Sequence, residues 1–156
     1  AWRAEGNYVK ANKAYQAAGI TDKRAKSFRA IVKGDFARQV AEYLRRKDYT
    51  ATTETLDKWE LTIPSDKLEG YSTLLRVKLY NALERYRDAA REAEILLKVN
   101  PTSTYAPELL MQAYEAYKSS KQPTEARKSL QRIVKFYRES PLFPKAVKIL
   151  KKAGKT

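Results

Sequence analysis

Three tyrosines recur at a constant spacing of 37 residues, at Tyr43, Tyr80 and Tyr117. The chain has only eleven tyrosines in 156 residues, so three in one register favour an internal repeat over coincidence. A fixed period of this length is typical of helical repeat proteins. In such proteins each unit buries its apolar face against its neighbours, so the register confines the chain to a stacked architecture.

Other positions follow the same period with compatible chemistry. The columns of the first helices are Ala37, Leu74 and Met111, then Val40, Val77 and Tyr114. The columns of the second helices are Thr52, Ala89 and Ala126, then Leu56, Ala93 and Leu130, then Trp59, Leu96 and Ile133. These positions recur at helical spacings of three and four residues, which predicts repeated helical hairpins. We expect Ala89, Ala93 and Leu96 to form a buried stripe, and the three tyrosines and Trp59 to lie in the seams between helices.

The predicted hairpins occupy residues of about 22–64, 66–101 and 104–141, followed by a last helix at 143–153. Within them we expect helices at about 50–62, 67–85, 105–119 and 123–138, and a further helix that follows a turn beginning at Tyr86 and is closed by Asn100-Pro101. Only five glycines and six prolines interrupt the chain, as suits an all-α protein. Gly34 leaves two alternatives open for residues 22–47, one bent helix or two short ones.

The first residues carry the sharpest motif. Its pattern is G-x-Y-x-x-A-x-x-x-Y-x-x-A, formed by Gly6, Tyr8, Ala11, Tyr15 and Ala18. This pattern resembles the second helix of a tetratricopeptide repeat with its turn glycine, and Gly19 would end that helix. Residues 1–19 are then a partial repeat, and we expect the chain to be a fragment of a longer protein. The resemblance implies one domain over 1–156, a right-handed α-solenoid of tetratricopeptide-like hairpins.

Residues 99–110, with the run YAPELL, resemble the repeat junction of one bacterial envelope branch of this family. That branch includes the lipoprotein of the barrel-assembly machinery and the Tol–Pal coordinator. The likeness implies a periplasmic or outer-membrane-associated protein, with the cytoplasm as the alternative. The period of 37 residues is longer than the usual unit of about 34, and Lys47, Glu84 and Lys121 stand where the family's turn glycine would be.

In this family the first helix of each hairpin lines a concave groove. Carried over by register, the candidate groove residues are Leu44, Arg45, Tyr71, Lys78, Asn81, Met111, Glu115 and Lys118. The resemblance implies a protein partner there, either an extended peptide or a partner helix. Members that clamp a chaperone's C-terminal carboxylate have lysine and asparagine where this chain has Ala37 and Ala41, so that clamp is not expected.

The net charge of +14 is concentrated in two regions, residues 22–47 with +6 and the C-terminal part of the chain. Residues 121–156 contain eleven basic and two acidic residues, a net charge of +9. The candidate basic patch consists of Lys145, Lys148, Lys151 and Lys152. Such a patch suits an acidic protein surface, a nucleic acid or an anionic membrane.

Histidine and cysteine are both absent. The chain therefore has no imidazole base, no thiolate nucleophile and neither of the usual zinc ligands. The eighteen acidic residues mostly alternate with lysine and arginine, as on solvated helix faces. We expect no cofactor and a non-enzymatic scaffold within a larger assembly. The alternatives are a basic module that binds nucleic acid or an anionic membrane, and the helical arm of an enzyme whose catalytic part lies elsewhere.

Overall fold

The computed structural model describes Ala14 and residues 23–154, and this part of the chain is helical without any strand. The eight helices between Lys23 and Ala153 are α1 (Lys23–Arg45), α2 (Tyr49–Thr62), α3 (Ser65–Glu69), α4 (Tyr71–Ala82), α5 (Tyr86–Val99), α6 (Ala106–Ser119), α7 (Pro123–Phe136) and α8 (Phe143–Ala153). The all-α prediction is confirmed. The predicted partial repeat at 1–19, with its motif residues, lies outside the described residues.

The chain forms two compact units that divide between Lys67 and Leu68. In the first unit, α1 and α2 pack as a hairpin. The ring of Phe36 stacks on that of Trp59, with centroids 6.0 Å apart and planes at 10°. The indole Nε1 of Trp59 donates a hydrogen bond of 2.8 Å to the Asp66 carboxylate. The largest buried side chain of this unit thereby has a partner for its one polar atom.

Helix α1 passes through Gly34 without a break, so residues 23–45 form one helix rather than two. A Cβ atom at Gly34 would meet nothing within 4 Å, so packing does not require glycine here. Phe28 and Val32 of this helix are buried, whereas Ile31 is 39% exposed.

In the second unit, α4 to α8 each pack against the next helix in the chain, and α4 also packs against α6. Between them lies a continuous core. Its fully buried members include Val77, Ala89, Ala93, Leu109, Leu110, Ala113, Ala116 and Ile133. Burial of each large aliphatic side chain stabilises the unit by about 1.5–3 kcal/mol. No helix in the described residues has both the length and the apolar character needed to cross a membrane.

The helix predicted over 67–85 is wrong at one point, because it is interrupted at Gly70. This residue has a φ of 117°, which separates α3 from α4. A Cβ atom at Gly70 would lie 2.5 Å from the Ser103 Oγ and 2.9 Å from the Leu96 Cδ2. The Ser103 hydroxyl also donates a hydrogen bond of 2.5 Å to the Glu69 carbonyl. The interruption follows from the approach of a distant turn, which local periodicity does not show.

The 37-residue register is present in the backbone of all three hairpins. Helices α2, α5 and α7 each contain 14 residues and begin 37 residues apart, at Tyr49, Tyr86 and Pro123. The preceding turns each contain a non-glycine residue in the left-handed region. These residues are Lys47, Glu84 and Lys121, with φ of 60°, 59° and 59°.

In each of these turns, the backbone carbonyl of the recurring tyrosine accepts a hydrogen bond that closes the turn. In every hairpin, the amide after the left-handed residue donates to the tyrosine carbonyl five positions earlier. The donors and distances are Asp48 to Tyr43 at 2.9 Å, Arg85 to Tyr80 at 2.8 Å and Gln122 to Tyr117 at 2.8 Å. This is the hydrogen bond of a Schellman-type helix end, which satisfies a carbonyl that the helix leaves unpaired.

The turns between hairpins repeat as well. The Oγ of Ser103 accepts a hydrogen bond from the amide two residues later, and the Oγ of Ser140 does the same. The Tyr137 hydroxyl donates to the Pro101 carbonyl at 2.6 Å and links one turn to the next. The stacked hairpins of the second unit are thus joined by hydrogen bonds as well as by the core.

Candidate interaction surfaces

Two of the predicted groove residues serve the core instead of an open surface. Met111 is only 6% exposed and belongs to the core cluster of the second unit. Tyr71 is half-buried, with its ring centroid 5.0 Å from that of Tyr105. The family register placed both on the groove. The structure places them between helices, because α4 and α6 approach closely here.

Asn81 is also engaged in holding helices together. Its Nδ2 donates to the backbone carbonyl of Gln112 at 3.1 Å and lies 3.0 Å from the side-chain Oε1 of the same residue. The amide thereby ties α4 to α6, the first helices of two successive hairpins. Lys78, one turn earlier on α4, is half-buried.

The remaining groove candidates are more accessible. Glu115 and Lys118 are exposed on α6. In the first unit, Leu44 is half-buried and Arg45 is exposed near the end of α1. The structure therefore brings Glu115 and Lys118 together on one helix surface, while Leu44 and Arg45 belong to the other unit.

Arg45 has a local partner within the first unit. Its guanidinium contacts the Glu42 carboxylate at 2.7 Å, and Arg46 contacts the same carboxylate at 2.6 Å. The hydrogen bond from Arg45, aided by the positive charges of both arginines, lowers the pKa of Glu42 to about 2. A ligand that recruited Arg45 would have to compete with this carboxylate.

The predicted basic patch lies on α8. Lys145, Lys148, Lys151 and Lys152 are all exposed. The last three border a shallow apolar depression of about 600 Å³, whose apolar members are Phe143, Pro144 and Val147. Helix α8 itself contains no acidic residue.

A second depression, which sequence reasoning missed, lies among α6, α7 and α8. We call it the terminal pocket. It has a volume of about 620 Å³. Its apolar lining is formed chiefly by Tyr114, Pro123, Ala126, Leu130, Ile149 and Leu150. The sequence did carry a signal for it, because Pro123 stands in the column that Tyr49 and Tyr86 occupy in the other hairpins.

Three cations surround this apolar lining: Lys118 from α6, Lys121 from the turn and Arg127 from α7. All three are exposed, and none forms an ion pair within residues 23–154. The neighbouring Lys128, by contrast, is paired with Glu125 at 3.1 Å. Among the residues that the structure describes, none of those lining the pocket is acidic.

The tyrosine column borders the seams of the second unit. Burial raises the pKa of Tyr117, with a further contribution from the nearby Glu94 and Glu125 carboxylates. Burial likewise raises the pKa of Tyr137. Among the described residues, no cluster of three or more carboxylates is arranged to hold a metal ion.

Comparisons of the chain with protein-family models, with curated proteins and with solved structures each found no match.

Proposed function

We propose that this chain is a non-enzymatic protein–protein interaction scaffold, built as an α-solenoid of tetratricopeptide-like hairpins. The observation that carries the proposal is the recurrence of the hairpin. The bounds of the second helices, the C-terminal ends of the first helices, the left-handed turn residues and the tyrosine-carbonyl hydrogen bond all repeat at 37 residues. Repeats of this kind stack their units into extended surfaces, which are suited to binding other proteins.

The distribution of exposed side chains supports a binding role. Glu115 and Lys118 on α6 and the lysines of α8 are exposed, so their side chains are accessible to a partner. The lack of histidine and cysteine leaves few groups with which to build a catalytic centre. We place the scaffold in a bacterial envelope assembly, on the resemblance of residues 99–110 to that branch of the repeat family.

Site-specific photocrosslinking in the native host tests the scaffold function. A photoreactive phenylalanine derivative replaces Glu115 or Lys118 on α6, or Lys148 on α8. The control position is Ile95 on α5, which is 50% exposed and outside the predicted groove. We expect discrete crosslinked protein bands from the first three positions and none from Ile95. Crosslinking that is confined to Ile95, or a carboxylate-dependent catalytic turnover, would refute the scaffold proposal.

A basic module that binds nucleic acid or an anionic membrane is the second candidate, since Lys145, Lys148, Lys151 and Lys152 are all exposed on one helix. A salt titration with RNA or with anionic vesicles tests it. Reversal of Lys148, Lys151 and Lys152 should abolish binding at physiological ionic strength if this candidate is correct. The matched control reverses Arg87, Arg91 and Lys98, three exposed cations of α5.

A further inference from the structure

We propose that the terminal pocket binds an acidic segment of a partner protein and receives one large apolar side chain of that segment. This inference rests on the proposed scaffold function and specifies where and what the scaffold binds. It is carried by three differences between the last hairpin and the one before it, and by the charges around the pocket.

The first difference is the residue that opens the second helix. Tyr86 opens α5, and its half-buried ring packs against the core of the second unit. Pro123 opens α7 at the equivalent position. Proline is well suited to the first helical turn but has much less volume than a tyrosine ring. The substitution therefore leaves unfilled space beside α7, where the terminal pocket has Pro123 in its lining.

The second and third differences concern the hydrogen bonds that join the first helix of one hairpin to the first helix of the next. Asn81 of α4 and Gln112 of α6 are joined by hydrogen bonds. Their equivalents one period later are Lys118 of α6 and Ile149 of α8. The isoleucine side chain has no oxygen to accept a hydrogen bond as the Gln112 Oε1 can, so the side-chain part of this connection is absent between α6 and α8. Both Lys118 and Ile149 line the terminal pocket.

The equivalent junction one period earlier is more fully buried. Its positions equivalent to the pocket lining include Val77, Ala89, Ala113 and Ala116, and each is 0% exposed. One period later, the counterpart of Ala116 is Ala153, which is exposed at the pocket. The terminal pocket therefore lies at the last junction between repeats, where the residues differ from those that fill the earlier junction. It is not a feature of every hairpin.

The size and lining of the pocket indicate an apolar anchor. A volume of about 620 Å³ lies in the range of about 300–1,000 Å³ that holds small ligands or anchoring side chains. Large aromatic or aliphatic anchors in such pockets supply most of the binding energy at protein interfaces. An inserted side chain would contact Leu130 and Leu150, next to the space that Pro123 leaves open.

The surrounding charges indicate an acidic partner. Lys118, Lys121 and Arg127 border the pocket, and no carboxylate within residues 23–154 belongs to its lining. A segment with glutamate or aspartate beside its anchor would pair with them, and these charges would also speed its association. A nucleic acid fits less well, since base stacking needs open aromatic faces. The one aromatic ring of the lining, Tyr114, is half-buried and has the Lys118 ammonium 5.8 Å from its centroid.

Selection from a displayed library of random peptides against the whole chain tests the inference. We expect enrichment of peptides that combine a tryptophan, phenylalanine or leucine with two or more neighbouring acidic residues. The selected peptides are then synthesised and titrated against variants. Pro123→Tyr is the decisive variant, because it installs the residue that opens α5 and fills the pocket without altering any charge. We expect it to weaken peptide binding at least about tenfold, because the anchoring side chain of the peptide would lose its binding site.

A charge variant with a matched control completes the test. Replacement of Lys118, Lys121 and Arg127 by glutamine should raise the peptide Kd about tenfold or more, as each exposed ion pair contributes a factor of about two to five. The same replacement at Lys148, Lys151 and Lys152 of α8 should change it less than about twofold. Circular dichroism shows whether each variant retains its helices.

The outcomes separate this inference from the scaffold function. Selected peptides that lack acidic residues, or that bind folded Pro123→Tyr as well as the original chain, overturn the pocket inference and leave the scaffold function standing. Tight RNA binding that Pro123→Tyr abolishes overturns the choice of a peptide. Failure of the photocrosslinking experiment, by contrast, overturns the scaffold function on which the inference rests.

Discussion

Glycine in place of Glu84 should stabilise the second unit, although the substitution removes a side chain. Glu84 is exposed and has a φ of 59° in the turn between α4 and α5. An L-residue in this conformation costs roughly 1–2 kcal/mol relative to glycine. The greater freedom of glycine in the unfolded chain offsets about 0.4–1 kcal/mol of that gain. We therefore expect Glu84→Gly to raise the free energy of unfolding by about 0.5–1 kcal/mol.

The same substitution at Glu115 is the matched control. Glu115 is also exposed but lies inside α6, where the left-handed conformation is not required. Glycine in an exposed helix interior costs about 0.5–1 kcal/mol. The two Glu→Gly variants change the net charge equally, so a difference in sign isolates the backbone effect.

Urea denaturation, followed by far-ultraviolet circular dichroism, measures the free energy of unfolding of both variants. The midpoint and the slope of each transition are compared, because a change in stability shifts the midpoint while a change in cooperativity alters the slope. Lys47→Gly extends the test to the first unit, where the fluorescence of Trp59 reports on unfolding. If Glu84→Gly lowered the free energy of unfolding as much as Glu115→Gly does, the left-handed conformation of this residue would not be required to close the hairpin.

Three further experiments test other contacts. Gly70→Ala should destabilise the second unit by about 2–4 kcal/mol in the same assay, because the added Cβ is strained at a φ of 117° and overlaps Ser103 and Leu96. A double-mutant cycle on Arg132 and Glu94, which are 2.8 Å apart and about a third exposed, should give a coupling of about 0.2–1 kcal/mol that falls with added salt. Arg45→Gln should raise the pKa of Glu42 from about 2 toward 4.5 in an NMR titration, as it removes the hydrogen bond that chiefly lowers it. Because the folded-state pKa is the lower one, the Glu42 contribution to stability is present above about pH 4.5 and is lost as the pH falls toward 2.

The sequence predicted those features that depend on neighbouring residues. Helix ends fall within a few residues of their predicted positions, because proline at the start of α7 and the turn before it are local signals. The break at Gly70 was missed because its cause is Ser103, more than thirty residues away. The burial of Met111 was missed because the family register specifies a helix face but not how closely α4 and α6 approach. The terminal pocket was missed because it arises from a difference between repeats, at Pro123, which a register of shared positions does not show.

The hairpin turns show how this chain can combine a constant backbone with variable chemistry. The left-handed position has nearly the same φ in three hairpins but is occupied by lysine, glutamate and lysine. Glycine would adopt this conformation with less strain, but it has no charged side chain. At Lys121 the strained residue contributes a cation to the terminal pocket. Under the proposed binding of acidic peptides, the strained residue at this position would also contact the ligand.

Lys121→Gly separates the two roles of this position in one protein. We expect it to raise the free energy of unfolding by about 0.5–1 kcal/mol, for the same reason as Glu84→Gly. We also expect it to weaken the binding of acidic peptides about two- to fivefold, through loss of one exposed ion pair. Urea denaturation and a peptide titration on the same preparation measure both effects, with Glu84→Gly as the control that should gain stability without losing affinity. A Lys121→Gly variant that binds acidic peptides as well as the original chain would show that the turn cation takes no part in the pocket.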